Sequence, residues 1–585
     1  MAQLNTRRGD YIMNHQLTGY PSIDKPWLKY YTEDAKNGKL PECTIYEYMY
    51  QNNKEHLDDY AIDYFGTKIT YGELFKNIEK VAISFQELGV CSGEVVTIVS
   101  LSCVTSILCF YALNKIGAVS NYINVLSTEE ELKDYLNDAQ SRYVVSLDLF
   151  AGKILKVTEK TKVEKCIVYS LKEWMPTATK VGFSVKMRKF DTKFLSNNNV
   201  LLWKEFLQLS DNKTLKKYNK DPKTAGVLGH TGGTTGFPKT ILIDDCGINA
   251  VAHQYYLTFE RERGQKFLNI VIPFVIYGIL TCMHMPLSLG LCLVVIPKFN
   301  DNEWSKYIKK YQPDFISAVP SFVLPMLKDT KMSNVDLSCL KLLAVGGDGM
   351  NEKSEIEMNK FLKNHNSNIE ILKGYGMSEV CASAVTGMNG ANKVGSIGVP
   401  LVKNNVKVID ENQAECKYGE VGELCLLCPA LMIGYKGDET ATNELIHINE
   451  KGEKWVHTGD LAYVDEDGFV FLQGRIKRII LTTKDGMGYK VFPNIVEAKI
   501  KSNDNVFGVC VIGAKDGENQ VLRACIVKKQ SVDISNEVLE KQLRDMFNKD
   551  MPEYQRPLYY EFVDSLPLTP VGKVDYKKLE EMYSN

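Results

Sequence analysis

What most constrains this chain is the alternation of short apolar runs with amphipathic stretches along most of its length. "EVVTIVSL" precedes the helical "VTSILCFYALNKIGA", and "RYVVSL", "KCIVYSL", "AGVLGHT", "LCLVVIP", "FISAVP" and "LKLLAVGG" follow in turn. Between them, "NEWSKYIKKYQ" and "EKSEIEMNKFLKNH" carry apolar residues at helical spacing. Strands that alternate with helices predict an α/β fold with parallel sheets. A chain of 585 residues exceeds what one core supports, so at least two domains are expected.

From about residue 401 the pattern changes. "VKVID", "GELCLLC", "WVHTGDLAYVD" and "GFVFLQG" are short alternating strands with turn signals such as Asp467-Gly468. They predict a β-rich subdomain over about 401–474, closing a large N-terminal domain of layered α/β subdomains (1–474). Beyond Gly474 the chain returns to mixed α/β, with the helical "NEVLEKQLRDMFNKDM" and the tail "LPLTPVGKVDYKKL". A small α+β C-terminal domain (475–585) is expected, with its boundary near 474–478.

The seventy basic and seventy-two acidic residues leave a net charge of -2. That balance offers no global field for nucleic acid, which is set aside as the main partner. Fifteen scattered cysteines and an N-terminus without an apolar core predict free thiols in the cytoplasm. The lone C-x-x-C of Cys425 and Cys428 has no second pair and does not predict a zinc centre. The uncharged segment ending at Pro297 has the length of a membrane span. Pro273, Gly278, Pro286 and Gly290 break it up, so a buried helix followed by a buried strand is expected.

"LGHTGGTTGFPKTILI", residues 228–243, carries the chemistry. Gly232, Gly233 and Gly236 let successive backbone amides turn toward one point and form an anion nest. Thr231, Thr234 and Thr235 add hydroxyl donors and Lys239 adds a cation. Polyphosphate is the ligand that uses all of these. Phe237 and Pro238 separate Gly236 from Lys239, which rules out a Walker A loop.

This loop resembles the phosphate loop of the acyl-adenylate-forming enzymes: acyl-CoA synthetases, peptide-synthetase adenylation domains and firefly luciferases. Further motifs follow in the family's order, from "KITYGELFKNIEKVAISFQELGV" to "TPVGKVDYKKL". "KGYGMSE" resembles the adenine and magnesium motif. Gly374 and Gly376 allow a flat base to approach the backbone, Tyr375 offers a ring, Ser378 a hydroxyl and Glu379 a hard oxygen for Mg²⁺. "WVHTGDLAYVDEDGFVFLQGRIKRII" resembles the ribose motif and hinge. There Asp460 can accept from both ribose hydroxyls, Arg475 can bind ribose or phosphate, and Lys477 falls at the hinge.

The resemblance makes Lys573, in "P-x-G-K-x-D", the catalytic lysine of adenylation, acting together with Ser378 and Glu379. "AVGGDGM", with Gly346, Gly347 and Asp348, resembles one wall of the acyl and adenine pockets. "IPFVIYGIL" occupies the pocket-helix position. Val275 and Ile276 stand where many aryl and fatty-acid ligases carry a histidine, followed by Tyr277 and Gly278. This apolar wall, without an aspartate to anchor an amino group, favours an aliphatic acid. The loop "LTTKDGMGYKVFPNIVE" is longer than the family's usual loop, which lines the thiol tunnel.

The implied reaction is ATP- and Mg²⁺-dependent formation of an acyl-adenylate, then transfer to the thiol of coenzyme A with release of AMP. The mobile C-terminal domain rotates about Lys477 between the two steps. Loading of a carrier-protein phosphopantetheine is the alternative. A catalytically weak nucleotide-binding protein is a reading of another class, opposed by the intact Lys573, Glu379 and Asp460. The basic stretch "KVGFSVKMRKFDTKF" is expected to be a solvated loop, with weak contact to an anionic membrane surface as its alternative.

Overall fold

The computed structural model describes residues 17–186, 197–231, 238–484, 487–517, 519–529, 532–568 and 574–583. The apolar runs become strands and the amphipathic stretches become the helices that cover them. Helix Tyr71–Leu88 illustrates the local logic. Thr70 and Glu73 cap its start reciprocally, Gly89 ends it at a φ of 98°, and its apolar stripe from Leu74 to Phe85 is buried. Helix Glu129–Ala139 begins with the same device, made by Thr128 and Glu131. Helix Val104–Lys115 is buried almost all round, which is why its sequence lacks a polar face.

Two large sheets form the layered part. One runs in the order Gly434–Tyr435, Thr240–Asp244, Ala225–His230, Val119–Tyr122, Val95–Val99, Tyr143–Leu147, Lys165–Tyr169, Val200–Leu202. From Ala225–His230 onward its neighbours are parallel. The other runs Val399–Pro400, Val385–Thr386, Ile371–Tyr375, Leu342–Val345, Phe315–Ala318, Lys266–Asn269, Cys292–Val295, Tyr60–Tyr64, Thr67–Thr70. It is parallel from Ile371–Tyr375 to Tyr60–Tyr64.

The segment of membrane-span length folds as a helix from Ile276 through a π-turn at Leu280–His284 to Ser288, then strand Cys292–Val295. Among the described residues no helix is long and apolar enough to cross a membrane. His284 lies within this segment, fully buried, its ring nitrogens facing Tyr111 Oη and Asn249 Oδ1 at 3.1 and 3.0 Å. A polar side chain so deep in a core persists because its partners are built in.

A third sheet, antiparallel throughout, joins Asn405–Ile409, Gly422–Leu427, Lys454–Val464 and Ile446–Ile448, with Val470–Arg475 also paired to Lys454–Val464. After a short turn at Ile476–Arg478 comes a different assembly. The hairpin Ile480–Lys484/Met487–Val491 and the sheet Val506–Asp516, Asn519–Lys528, Pro557–Phe562 belong to it. Helices Pro493–Lys501 and Asn536–Asp550 supply its core side chains Val496, Ile500, Leu539, Leu543 and Phe547. All fifteen cysteines are free.

Candidate functional site

Strands Ala225–His230 and Thr240–Asp244 form an antiparallel hairpin whose connection is the glycine- and threonine-rich stretch. Gly232, Gly233, Thr234, Thr235 and Gly236 lie outside the described residues. The ends of the connection are pinned: the Thr231 amide donates to the Lys239 carbonyl at 3.0 Å. The strand before it ends at His230, a residue not singled out from sequence. Its Nε2 is 2.7 Å from Asn121 Oδ1 and its Nδ1 3.2 Å from Thr240 Oγ1. The Thr240 hydroxyl donates to Asp138, which also accepts from Lys436. Burial drives the His230 pKa down to about 4, so the ring is neutral at physiological pH.

Lys239 extends from the far end of the connection. Its ammonium lies 3.5 Å from Asp438 Oδ2 and 4.9 Å from the centre of the Tyr435 ring. Tyr435 in turn donates its hydroxyl to Glu379 Oε1 at 2.7 Å. Glu379 is buried, and its backbone carbonyl accepts from the Met432 amide. Tyr435 and Asp438 were missed in the sequence reading. The available signal was "GYKGD", a Gly-Tyr and an alternation of charges directly after an apolar run.

Strand Ile371–Tyr375 leads into Gly376, Met377 and the turn Ser378–Val380. Gly376 is required sterically: a Cβ there would lie 2.1 Å from the Ala382 carbonyl oxygen. Cys381 and Ala382 both hold a left-handed φ, 54° and 75°, which is uncommon for residues with a side chain. This tight return presents Tyr375, Ser378 and Glu379 from one short segment.

The Tyr375 hydroxyl donates to Asp460 Oδ2 at 2.5 Å, and Arg475 Nε lies 2.8 Å from Asp460 Oδ1. Asp460 and Arg475 are cross-strand partners, and the pairing shifts register beside them. A second irregularity on the other edge falls between Glu423 and Cys425. Glu423 Oε1 there accepts from the Gly459 amide, and Gly459 has a φ of 68°. Asp460 is thus held from both sides of its strand. Burial and this carboxylate together raise the Tyr375 pKa well above its ordinary value, so the phenol remains a donor.

The apolar wall meets the same region. A Cβ on Gly229 would lie 2.9 Å from Ile276 Cδ1, so the strand leading to the glycine-rich connection touches the wall there. The Tyr277 hydroxyl is 2.6 Å from Ser317 Oγ, and its ring is 3.8 Å from where a Gly346 Cβ would stand. Gly346 backs onto the Gly374 carbonyl. Gly278 is close-packed on the Ile272 carbonyl, and Val275 is half-buried before Ile276. Gly347, at a φ of 79°, and Asp348 are exposed, and the Asp348 carboxylate accepts from the Gly349 amide.

Lys477 is exposed in the turn Ile476–Arg478. Arg478 is tied to the last assembly: it pairs with Glu497 at 2.6 Å, donates to the Val511 carbonyl, and lies over the Tyr576 ring. Lys573 lies outside the described residues. On either side of it Leu568 and Val574 pair across an antiparallel bridge.

Residues 49–436 match the model of the AMP-binding enzyme family and residues 495–573 that of the AMP-binding enzyme C-terminal domain. The chain is 28% identical to a long-chain-fatty-acid–CoA ligase of Bacillus subtilis (strain 168), over 95% of this chain and 98% of that protein. It is 27% identical to a probable 4-coumarate–CoA ligase 1 of Dictyostelium discoideum, over 94% and 97%. Its fold is similar to the crystal structure of the anthranilate CoA ligase AuaEII in complex with anthranoyl-AMP. The TM-score is 0.77 and the identity 22%, over 94% of this chain and 99% of that one.

Proposed function

The chain belongs to the AMP-binding enzyme family, and we propose that it is an acid–thiol ligase that activates an aliphatic carboxylic acid with ATP and passes the acyl group to coenzyme A. One observation carries the site assignment. The segment from Tyr375 to Glu379 reaches the Asp460 carboxylate, read as ribose-binding, through the Tyr375 hydroxyl and carries the Glu379 carboxylate, read as phosphate-side, which Tyr435 holds with Lys239 over its ring.

In this reading ATP lies with its phosphates on the 231–239 connection and Lys239, and its ribose on Asp460. The substrate carboxylate oxygen attacks the α-phosphorus, the bond to the β,γ-phosphates breaks, and pyrophosphate leaves. Lys573 stabilises the charge that develops there, and Ser378 contributes a hydroxyl. The thiol sulfur then attacks the acyl carbon, the mixed-anhydride C–O bond breaks, AMP leaves and the thiol proton passes to solvent. Splitting the exchange through a covalent adenylate replaces one difficult substitution with two easier ones.

Mg²⁺ fits the donor set because Glu379 offers a hard carboxylate oxygen at the base of the phosphate region. Glu379 would hold the ion, which neutralises phosphate charge when bound. Gly374, Gly376 and Tyr375 would flank the adenine. Val275, Ile276, Tyr277, Gly278, Gly346, Gly347 and Asp348 would border the acyl chain, and the apolar Val275–Ile276 pair supports an aliphatic acid. The cytoplasm is the compartment this reading assigns, on the strength of fifteen free thiols.

The pivot at Lys477, beside the proposed domain division at 474/475, gains support from two arginines. Arg475 is bound to Asp460 on one side of the turn, and three residues on Arg478 is bound to Glu497 on the other. Two residues lie between these anchors, and Lys477 is exposed to solvent, where a change of φ and ψ costs no packing. The decisive experiment is acid-dependent pyrophosphate release across aliphatic, aryl and amino acids, repeated with coenzyme A. Release with aliphatic acids, and thioester only when coenzyme A is present, is expected. The absence of acid-dependent release would refute the reading.

A further inference from the structure

Cys425 and Cys428 do not act together. They stand three apart in and just beyond the strand Gly422–Leu427, and they pack in different clusters, Cys425 with Ile409 and Trp455, Cys428 with the core around Leu424 and Val456. A strand turns residues i and i+3 to opposite faces and i and i+2 to the same face. The neighbours of Cys425 on its own face are therefore Glu423, two residues before it, and His457, its cross-strand partner.

We propose that Glu423, Cys425 and His457 form a binding site for a zinc-class divalent metal ion, separate from the nucleotide site. Among the described residues, the donor atoms of these three side chains all lie within 4.8 Å of one another. His457 Nδ1 and Glu423 Oε2 are already 3.2 Å apart. Donors on a tetrahedral zinc with ordinary bond lengths are about 3.5 Å apart, so small side-chain rotations close the set. One thiolate, one imidazole nitrogen and one carboxylate oxygen are the mixture that zinc accepts, whereas magnesium and calcium take oxygen alone.

The surroundings are built in the manner of a metal centre. Glu423 spends its other oxygen on the Gly459 amide, which fixes the carboxylate and leaves Oε2 directed at His457. A ligand carboxylate oriented by a backbone amide is the usual supporting arrangement. The His457 ring is stacked on His447 with 3.8 Å between centres, which fixes its plane. Cys425 is fully buried, whereas Glu423 and His457 retain side-chain exposures of 18% and 11%. An ion can therefore enter from solvent and bind a thiol that bulk reagents do not reach. On binding, the thiol releases its proton to solvent, the imidazole binds through the nitrogen that carries no hydrogen, and water completes the coordination.

The test uses the full-length protein stripped with a chelator and titrated with Co²⁺ as a spectroscopic substitute for zinc. The expected result is one Co²⁺ per chain with a sulfur-to-cobalt charge-transfer absorption, displaced by Zn²⁺ and absent from Cys425→Ser. His457→Gln should weaken binding at least about tenfold. A wild-type protein without that absorption, or a Cys425→Ser variant that retains it, overturns the proposal. Crystals of the unmutated protein soaked in zinc give a check that needs no variant. An anomalous peak about 2.3 Å from Cys425 Sγ supports the site, and its absence refutes it.

Discussion

Arg475 Nε lies 2.8 Å from Asp460 Oδ1 while the Tyr375 hydroxyl holds Oδ2 of the same carboxylate. The carboxylate is therefore oriented before any nucleotide binds, and the ribose reading has it accept from the sugar hydroxyls. Asp460→Asn keeps the shape and removes the charge. Charge-assisted hydrogen bonds of this kind contribute about 1.5–3 kcal/mol, so kcat/KM for ATP should fall roughly ten- to a hundredfold. The measurement is a pair of rate profiles, ATP against 2′-deoxy-ATP. The wild-type preference for the ribonucleotide should shrink in the variant, and an undiminished preference would remove Asp460 from ribose recognition.

Tyr435 is the hydrogen-bond donor between the Lys239 side and Glu379. In Tyr435→Phe the ring under Lys239 remains but the buried carboxylate loses a donor, a deficit of about 1–3 kcal/mol. Pyrophosphate-release kinetics should show kcat/KM for ATP lowered about tenfold. Glu379→Gln, which removes the charge itself, should cost more. If the two variants ranked in the opposite order, the support assigned to Tyr435 would be wrong.

Lys573→Ala separates the half-reactions. Losing one preorganised cation from the adenylation step should slow it by roughly a hundredfold. Thioester formation from synthetic acyl-adenylate and coenzyme A does not need that cation at the α-phosphorus and should persist. Single-turnover measurement of each half-reaction decides the matter, and an equal loss in both would contradict the assignment.

Much of this was legible in the sequence, for identifiable reasons. A parallel strand buried on both faces reads as a continuous apolar run, so "RYVVSL" announces Tyr143–Leu147, and the aliphatic run of "LKLLAVGG" marks Leu342–Val345, buried on one face and half-buried on the other. The helix Tyr71–Leu88 carries its start signals at Thr70 and Glu73 and its stop signal at Gly89. What could not be read was contact between distant segments. Tyr435 meets Glu379 across 56 positions and His230 meets Asn121 across 109. The same limit applies to the C-x-x-C. Spacing in sequence suggests a pair, but the strand's alternation separates the two sulfurs and gives Cys425 a cross-strand histidine instead.

Gly376→Ala tests the steric claim at the turn. Its Cβ would fall 2.1 Å from the Ala382 carbonyl oxygen, backbone that cannot swing aside as a side chain would. Overpacking of this kind costs about 1–3 kcal/mol, and relief requires the Ala382 return to open, carrying Ser378 and Glu379 with it. A lower urea midpoint together with loss of acid-dependent pyrophosphate release is expected. Unchanged activity would mean that the turn relaxes freely.

His230 predicts a pH dependence of stability. Burial lowers its pKa from 6.5 to about 4, against a partial opposing pull from Asp138. Asn121, Thr240 and the Tyr135 ring complete its surroundings. Between those two values the unfolded chain binds a proton that the folded chain refuses. Stability contributed by the neutral ring is thus fully present above pH 6.5 and declines as the pH falls toward 4. The slope from one such group approaches about 1.4 kcal/mol per pH unit, or about 3 kcal/mol over the window. His284, driven to about 3 by burial, adds in the same direction, whereas the raised carboxyl groups of Asp244 and Asp245 oppose both. The contribution of His230 is isolated by difference. Urea midpoints of wild type and His230→Gln, measured from pH 7 to 4.5, should converge as the pH falls because only the wild type loses this term. Parallel curves would show that the ring does not titrate as its burial requires.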